Sequence, residues 1–359
     1  MSAHPLIELA NDREVRQAKG FRQVAADLNG EALEERYQRG VSNAPKRHEV
    51  GKKYLVGHTA KRPNGRRNGR DDEHLSIALW RRYAEGEGAT LDLPDGKTVR
   101  LLDCQLPLRT AQADKERGNE DPNAGVGVVD LLGILPDGRL AVVDLKFLPP
   151  QANRGGTGDT PLRALLQTLG HTAIVDANRE AIQSELGEAG GQTISEEAPA
   201  LILLASPRYW ELCRKREAQK GAAWIREFER LARESAQEIG VEVWFLALEL
   251  EGDPGWEYDA EGPLLDADAQ IVPAWEAGAG KLKPKPKPKP KAEEDPLVEA
   301  DLSREIRPYA LHECFEVGDR IDHSTLGLGV VQSEAGAGKI IVLFGDRKVR
   351  LVHQRAVSA

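Results

Sequence analysis

The sequence predicts an α/β core, a mixed sheet flanked by helices in the order helix, three strands, helix, strand, helix, strand, followed by a small all-β domain. Three observations predict it. Between residues 71 and 250, short apolar runs bounded by turn residues alternate with stretches whose apolar residues recur at helical spacing. At 281–291 the chain reads KLKPKPKPKPK, which can neither continue a helix nor donate ladder hydrogen bonds and so reads as an extended spacer. Beyond it, FEVGDRIDHSTLGLGVVQSEAGAGKIIVLFGDRKVRLV at 315–352 holds four short strands with closely spaced turn signals, the pattern of a small barrel.

The 359 residues exceed the roughly 250 to 300 at which single cores stop growing. The expected division is an N-terminal helical and basic segment (1–70), the α/β domain (71–275), a Lys/Pro-rich linker (276–305) and the β-barrel (306–359). No apolar run approaches the ~18 to 20 residues of a membrane span. The opening MSAHPLIELANDREVRQ is charged and lacks the apolar stretch and cleavage site of a signal peptide, so a cytoplasmic protein without membrane contact is expected. Cys104, Cys213 and Cys314 follow no metal-ligand spacing and read as free thiols. The net charge of −9 gives no hint of a polyanion partner, which must rest on local charge. Residues 46–70 carry nine Lys or Arg against one acid, Glu49, a local net of +8. By composition alone, rich in Gly and Asn, that stretch is a solvated mobile loop.

Residues 1–45 read as short helices, 31–37 the best of them. Asp71 and Asp72 open a helix to about Ala84, acids at its N-terminus suiting the macrodipole. TVRLLDCQLPLR at 98–109 reads as a strand, and after the polar loop AQADKERGNEDPNAG comes the hairpin VVDLLGILPDGRLAVVDLKF at 128–147. Thr160 is a candidate N-cap with Pro161 at the first helical position. Leu162, Leu165, Leu166, Leu169 and Ala173 then share one helical face. ALILLA at 200–205 is a fully apolar strand. Residues 209–239 read as helical with Trp224, Phe228 and Leu231 on the apolar stripe, and VEVWFLALEL at 241–250 is a further strand.

The hairpin carries three charges where a core strand should have none. Pro136, Asp137 and Gly138 suit a three-residue loop with a left-handed glycine, which pairs Leu135 with Arg139. Counting back, Asp130 falls opposite Asp144, and Lys146 shares their face. Directly opposed carboxylates would stand about 5 Å apart in a poorly solvated place and repel unless something positive lies between them. A divalent cation answers this, because carboxylate and carbonyl oxygens are the hard ligands that Mg²⁺ or Mn²⁺ accepts. A buried Asp–Lys ion pair is the plainer alternative.

These residues resemble the PD-(D/E)xK nuclease superfamily: an Asp on one strand, Asp130, then D-x-K on its antiparallel neighbour, Asp144-Leu145-Lys146. The resemblance covers about residues 71–205 and extends to 250. It implies a restriction-endonuclease-like core, α-β-β-β-α-β, and Mg²⁺-dependent hydrolysis of DNA phosphodiester bonds. It also implies a metal held by Asp130, Asp144 and the Leu145 backbone carbonyl, with Lys146 orienting the attacking water. The family places a further acid on the first core helix. Glu73, on one face with Ile77 and Trp80, is the candidate here, and His74 is its rival. Related branches carry Q-x3-Y on the following helix, where this chain has Gln167 and His171, so both are candidate supporting residues. Lys46, Arg47, Lys52, Lys53, Lys61, Arg62, Arg66, Arg67 and Arg70 would then neutralise DNA phosphates near the mouth of the site.

No G-x-S-x-G, H-E-x-x-H or paired C-x-x-C motif occurs, and the Gly-Lys at 338–339 lacks the rest of a phosphate loop. The last 45 residues or so resemble the Tudor-like, SH3-like barrels of UvrD-type helicases and CarD-like proteins, through Val317-Gly318-Asp319-Arg320-Ile321 and Gly327-Leu328-Gly329-Val330-Val331. Six basic and six acidic residues from Ala310 onward show no basic bias. The expected partner of this domain is a protein such as a helicase or polymerase. Two classes of function stay open: an active DNA nuclease serving restriction, phage defence or repair, and a catalytically inactive nuclease-fold module that binds DNA or protein.

Overall fold

The structure is a computed structural model. It describes residues 4–17, 20–85, 90–110, 123–153, 159–188, 192–217, 223–275, 297–336 and 338–354, in two compact units, 1–282 and 283–359. The Lys/Pro run at 281–291, the rest of 276–296 and most of the Gly-rich loop before Thr160 lie outside the described residues. Among the described residues no helix is long and apolar enough to cross a membrane.

In the first unit, four helices come first: α1 (Pro5–Asn11), α2 (Arg13–Arg16), α3 (Phe21–Asp27) and α4 (Gly30–Ser42). They are followed by α5 (Asp71–Tyr83), β1 (Leu91–Asp92), β2 (Thr98–Pro107), β3 (Val128–Ile134), β4 (Leu140–Lys146), α6 (Pro161–Ala177) and α7 (Arg179–Glu188). Then come β5 (Ala200–Ala205), α8 (Pro207–Glu217), α9 (Ala223–Glu234), β6 (Val243–Glu249), β7 (Trp256–Asp259), β8 (Gly262–Leu265) and β9 (Gln270–Pro273). Among the described residues, seven strands form one sheet in the order β1-β2-β3-β4-β5-β6-β9. The steps β2-β3-β4 are antiparallel and β4-β5-β6 parallel. The fold is thus mixed α/β, as the alternation of apolar runs predicts. Where one long helix over 209–239 was expected, α8 and α9 stand, and β1, α7 and β7–β9 carry no strong sequence pattern.

The pleat of β4 sorts its side chains between two layers. Leu140 and Val142 pack with Leu132, Ile134 and Ile174 of α6, while Val143 and Leu145 pack with Leu75 and Leu79 of α5. The sheet is therefore covered on both faces, which is why β4 and β5 read as continuous apolar runs. The hairpin turn has the expected geometry. The Leu135 N–H donates to the Arg139 carbonyl at 2.9 Å, the Gly138 N–H to the Leu135 carbonyl at 3.0 Å, and Gly138 has φ 89°. The Thr160 hydroxyl accepts from the Arg163 N–H at 3.2 Å as the N-cap of α6.

The segment before α5 folds as part of this unit. Leu6, Phe21, Leu33 and Tyr37 share a buried cluster with Leu165 and Leu169 of α6. Gly170 lets α1 approach, since a Cβ there would stand 2.6 Å from Ile7. The basic stretch is packed down rather than mobile, and two acids hold it. Glu185 accepts from the Tyr54 and Leu55 N–H groups, and fully buried Asp103 accepts from Gly57 (3.0 Å), His58 (2.7 Å) and Cys104 (2.8 Å). Burial pushes the Asp103 carboxyl up, and these three donors pull it back. Asp103→Ala leaves the three donors without this acceptor and is expected to lower stability by about 2–4 kcal/mol, read from urea unfolding. Gly57→Ala should be comparably disruptive, because its Cβ would stand 1.6 Å from the Cys104 carbonyl oxygen.

The second unit is a five-stranded sheet of β10 (Arg307–Pro308), β11 (Arg320–His323), β12 (Gly327–Glu334), β13 (Lys339–Phe344) and β14 (Arg347–Val352), in that order. Phe315, Ile321, Val331, Ile340, Val342 and Phe344 form its core. Gly329 is needed where the sheet closes over Phe344, whose ring would stand 2.6 Å from a Cβ. Residues 297–305 belong here rather than to a linker: Val298 exchanges hydrogen bonds with Gln332, and Asp301 N–H donates to Gly318.

Candidate active site

The β3–β4 ladder runs from Ile134↔Leu140 to Leu131↔Val143. Asp130 and Asp144 are the next position of that register, where the strands part. Alternation puts Asp130 on the face of Leu132, and Asp144 and Lys146 on the face of Val142, the side covered by α6. Asp144 is 6% exposed, and Lys146 Nζ stands 2.7 Å from its Oδ2. That approach is an ion pair rather than a directed hydrogen bond, because Oδ2 accepts none of good geometry. The ammonium also donates to the Leu145 carbonyl at 3.1 Å. Lys146 thus fills the space between the oxygens of Asp144 and Leu145 with a positive charge.

Asp130 is held on both oxygens. Leu145 N–H donates to Oδ2 at 2.8 Å, and Gln105 Nε2 to Oδ1 at 3.0 Å. Gln105 in turn donates to the Ser76 hydroxyl of α5 at 2.9 Å. Its backbone has φ 49°, a left-handed conformation that is costly for a residue with a side chain and recurs where a side chain must be aimed. Burial, with Asp144 beside it, pushes Asp130 up to about 7 against the pull of Lys146 and the Leu145 N–H.

The acid that α5 contributes is Asp72. Its Oδ1 accepts from the Phe147 N–H at 2.6 Å, tying the helix N-terminus to the end of β4. Burial pushes it up to about 6, opposed by Lys146 and that N–H and assisted by Asp144 and Asp159. Glu73 faces away and pairs with Arg70 at 2.8 Å. His74 is fully buried under the β7–β8 hairpin, with Nδ1 2.5 Å from the Tyr258 hydroxyl. Neither expected helix ligand belongs to the cluster. Asp72 and Ser76, four apart, share the stripe that does.

Asp159, just before the N-cap of α6, is the fourth carboxylate. Burial raises its pKa, with Lys146 lowering it and Asp144 raising it further. For Lys146 the balance runs the other way: burial alone would lower it, but Asp144, Asp72, Asp130 and Asp159 together hold it above an ordinary lysine. His171 is buried on α6, with Nε2 accepting no hydrogen bond. Burial pushes it down to about 4 despite the pull of Asp144. Gln167 is half-buried one turn earlier on the same helix.

The basic residues largely hold the protein itself. Lys46 donates to the Ala177 carbonyl at 2.6 Å, and Lys52 to that of Thr110 at 2.6 Å. Arg47 is buried and donates to the Lys53 and Arg109 carbonyls, so it is structural and not a phosphate contact as placed. Arg62 pairs with Glu85 and lies 5.3 Å above the Trp80 ring. Arg66 and Arg70 pair with Asp71 and Glu73 at the start of α5. Lys53, Lys61 and Arg67 are exposed.

Among the described residues no three His, Cys, Asp or Glu side chains are grouped to hold a metal ion as they stand. The donor chemistry nonetheless fits a hard cation. Asp144 Oδ2 is a buried carboxylate oxygen, the Leu145 carbonyl is beside it, and Lys146, 2.7 Å from Oδ2, already fills the place with a cation. No family model matches this chain, and neither does any curated protein or solved structure.

Proposed function

We propose that the protein is a metal-dependent nuclease that hydrolyses DNA phosphodiester bonds, with a restriction-endonuclease-like core. The observation that carries this reading is the cluster at the parting ends of β3 and β4: four carboxylates around one ammonium, which stands 2.7 Å from Asp144 Oδ2 and 3.1 Å from the Leu145 carbonyl at its centre. Four carboxylates against one ammonium in a dry place cannot all ionise cheaply without a further cation to share the charge, and burial accordingly raises three of them. Asp144, the Leu145 carbonyl and Asp130 would hold Mg²⁺ or Mn²⁺, which when bound polarises the scissile phosphate and lowers the pKa of its water.

Each residue's part follows from its surroundings. Lys146, kept protonated by its neighbours, acts as a charge and hydrogen-bond donor to a phosphate oxygen rather than as a base. Gln105 and the Leu145 N–H fix the Asp130 carboxylate. Asp72 fixes the Phe147 backbone and so the end of β4. The exposed Lys61 and Arg67 supply phosphate contacts outside the cluster.

The test incubates purified protein with plasmid, linear DNA and RNA in Mg²⁺, Mn²⁺ or EDTA, beside Asp144→Ala. Metal-dependent DNA cleavage that the variant lacks is expected. If every substrate stays intact, or wild type and variant cleave alike, this reading is lost and the inactive binding module takes its place.

A further inference from the structure

β4, β5 and β6 run parallel, and open α/β sheets bind ligands in the crevice outside such carboxyl ends. Here those ends, Lys146, Ala205 and Glu249, border a cavity of about 380 Å³ lined by Phe147, Leu148, Ser206, Arg208, Leu250 and Pro254. That volume is within the range of small-ligand pockets. One stretch of backbone serves both the cavity and the charged cluster. Phe147 directly follows Lys146, and its N–H is held by Asp72 at 2.6 Å. Ser206 N–H donates to the Lys146 carbonyl at 2.9 Å, and the Ser206 hydroxyl accepts from the Leu148 N–H at 2.9 Å. The cavity wall thus begins one residue, roughly 3.3 Å along the strand, from the lysine of the cluster.

The lining is part apolar and part polar, and its key side chains are fixed. Phe147 is half-buried, its ring edge-on to Trp256 with centroids 4.9 Å apart. With Leu250 and Pro254 it supplies apolar walls. Arg208 Nε donates to the Ala152 carbonyl at 2.7 Å, and Nη1 to Glu211, which also lines the cavity, at 2.9 Å. A guanidinium already neutralised by a carboxylate is a poor seat for a phosphate. The pair does set N–H donors beside oxygen acceptors, the complement of a nucleobase edge. We propose that this cavity seats one unpaired base of the strand being cut, stacked on Phe147 and met at its edge by Arg208 and Glu211. A base reaches such a seat only out of the duplex stack, so the substrate class is single-stranded DNA. The inference deepens the nuclease reading and rests on it for the cleavage readout, whereas the binding readout below stands apart from it.

The test uses the full chain, Phe147→Leu and Arg208→Gln, with a fluorescein-labelled oligonucleotide offered single-stranded or as a duplex. In EDTA, followed by fluorescence anisotropy, wild type should bind the single strand about 10-fold or more tighter than the duplex. Each variant should lose most of that preference, since one stacked base accounts for a factor of that order. In Mg²⁺ the ratio of single-strand to duplex cleavage should fall in step. Melting curves show which variants fold, and Arg208→Gln carries the test if Phe147→Leu does not. A residue that only supports the fold would weaken both DNAs alike and leave the ratio unmoved. Equal affinity of wild type for the two DNAs, or a preference undiminished in the folded variants, overturns the seat and leaves the nuclease reading standing if DNA is cut. A preference that the variants lose, in a protein that cuts no DNA, supports the seat and removes the nuclease reading instead.

Discussion

On the proposed nuclease reading, Asp144→Ala and Lys146→Ala are each expected to lower DNA cleavage by about 10³-fold or more, Asp72→Asn by about 10²-fold, and Glu73→Gln by no more than about twofold. The ordering follows from position. Asp144 carries the buried oxygen at the centre of the cluster, and Lys146, 2.7 Å from it, carries the positive charge. Removing either changes the charge that a phosphate and its counter-cation meet. Asp72 acts one bond further out, holding the Phe147 N–H at 2.6 Å and adding its field to Lys146. Glu73 does neither, being paired with Arg70 at the surface. Single-turnover rates on a plasmid substrate check the series, with melting curves to show that each variant folds. Asp72→Asn cutting as fast as wild type while Glu73→Gln is silent would return the helix acid to Glu73.

That contrast also marks how far the sequence reaches. The hairpin was legible because Pro136, Asp137 and Gly138 dictate a loop length, and loop length dictates register. The opposition of Asp130 and Asp144 followed from it. The helix acid was not legible by the same means. Helical spacing puts Glu73 in line with Ile77 and Trp80, and both are buried. At the first turn, however, that line leaves the core, and the stripe that meets β2 begins at Asp72 and passes through Ser76. A serine inside an apolar helix, four residues after an acid, was the available signal. Asp159 joins the cluster from a segment well beyond the hairpin, and no local pattern announces it. Gln105 depends on a left-handed backbone that its residue type does not announce. In the basic stretch, nine cations outweighed Tyr54, Leu55 and Val56, the apolar run that anchors it. Burial of Tyr54 makes that stretch part of the fold, leaving fewer of its cations for nucleic acid.

Mg²⁺ should raise the melting temperature far more at pH 8 than at pH 5, and the reason lies in the same carboxylates. Asp130 and Asp72 are pushed up to about 7 and about 6, so the folded protein binds their protons more tightly than the unfolded chain does. The stability they lend is fully present below the ordinary carboxylate range and is lost as pH rises through about 6 and about 7. His171 has the opposite sign. Its ring, pushed down to about 4, favours folding above about 6.5 and costs stability as pH falls toward 4. Asp159 is raised in the same sense, so three carboxylates outnumber one imidazole and the cluster's net contribution declines between about pH 4 and 7. Asp130→Asn removes the carboxyl raised further of Asp130 and Asp72, and should flatten the decline, melting higher than wild type at pH 8 and nearer to it at pH 5. A cation that binds the folded form offsets the repulsion where the carboxylates are ionised, by about 2.7 kcal/mol at a hundredfold excess over its Kd. In a domain of this size that is several degrees. At pH 5 protons already occupy the same oxygens, and the gain should shrink to a degree or less. Equal Mg²⁺ shifts at the two pH values, or a shift undiminished in Asp144→Ala, would mean that the ion binds elsewhere and that Lys146 alone balances the cluster.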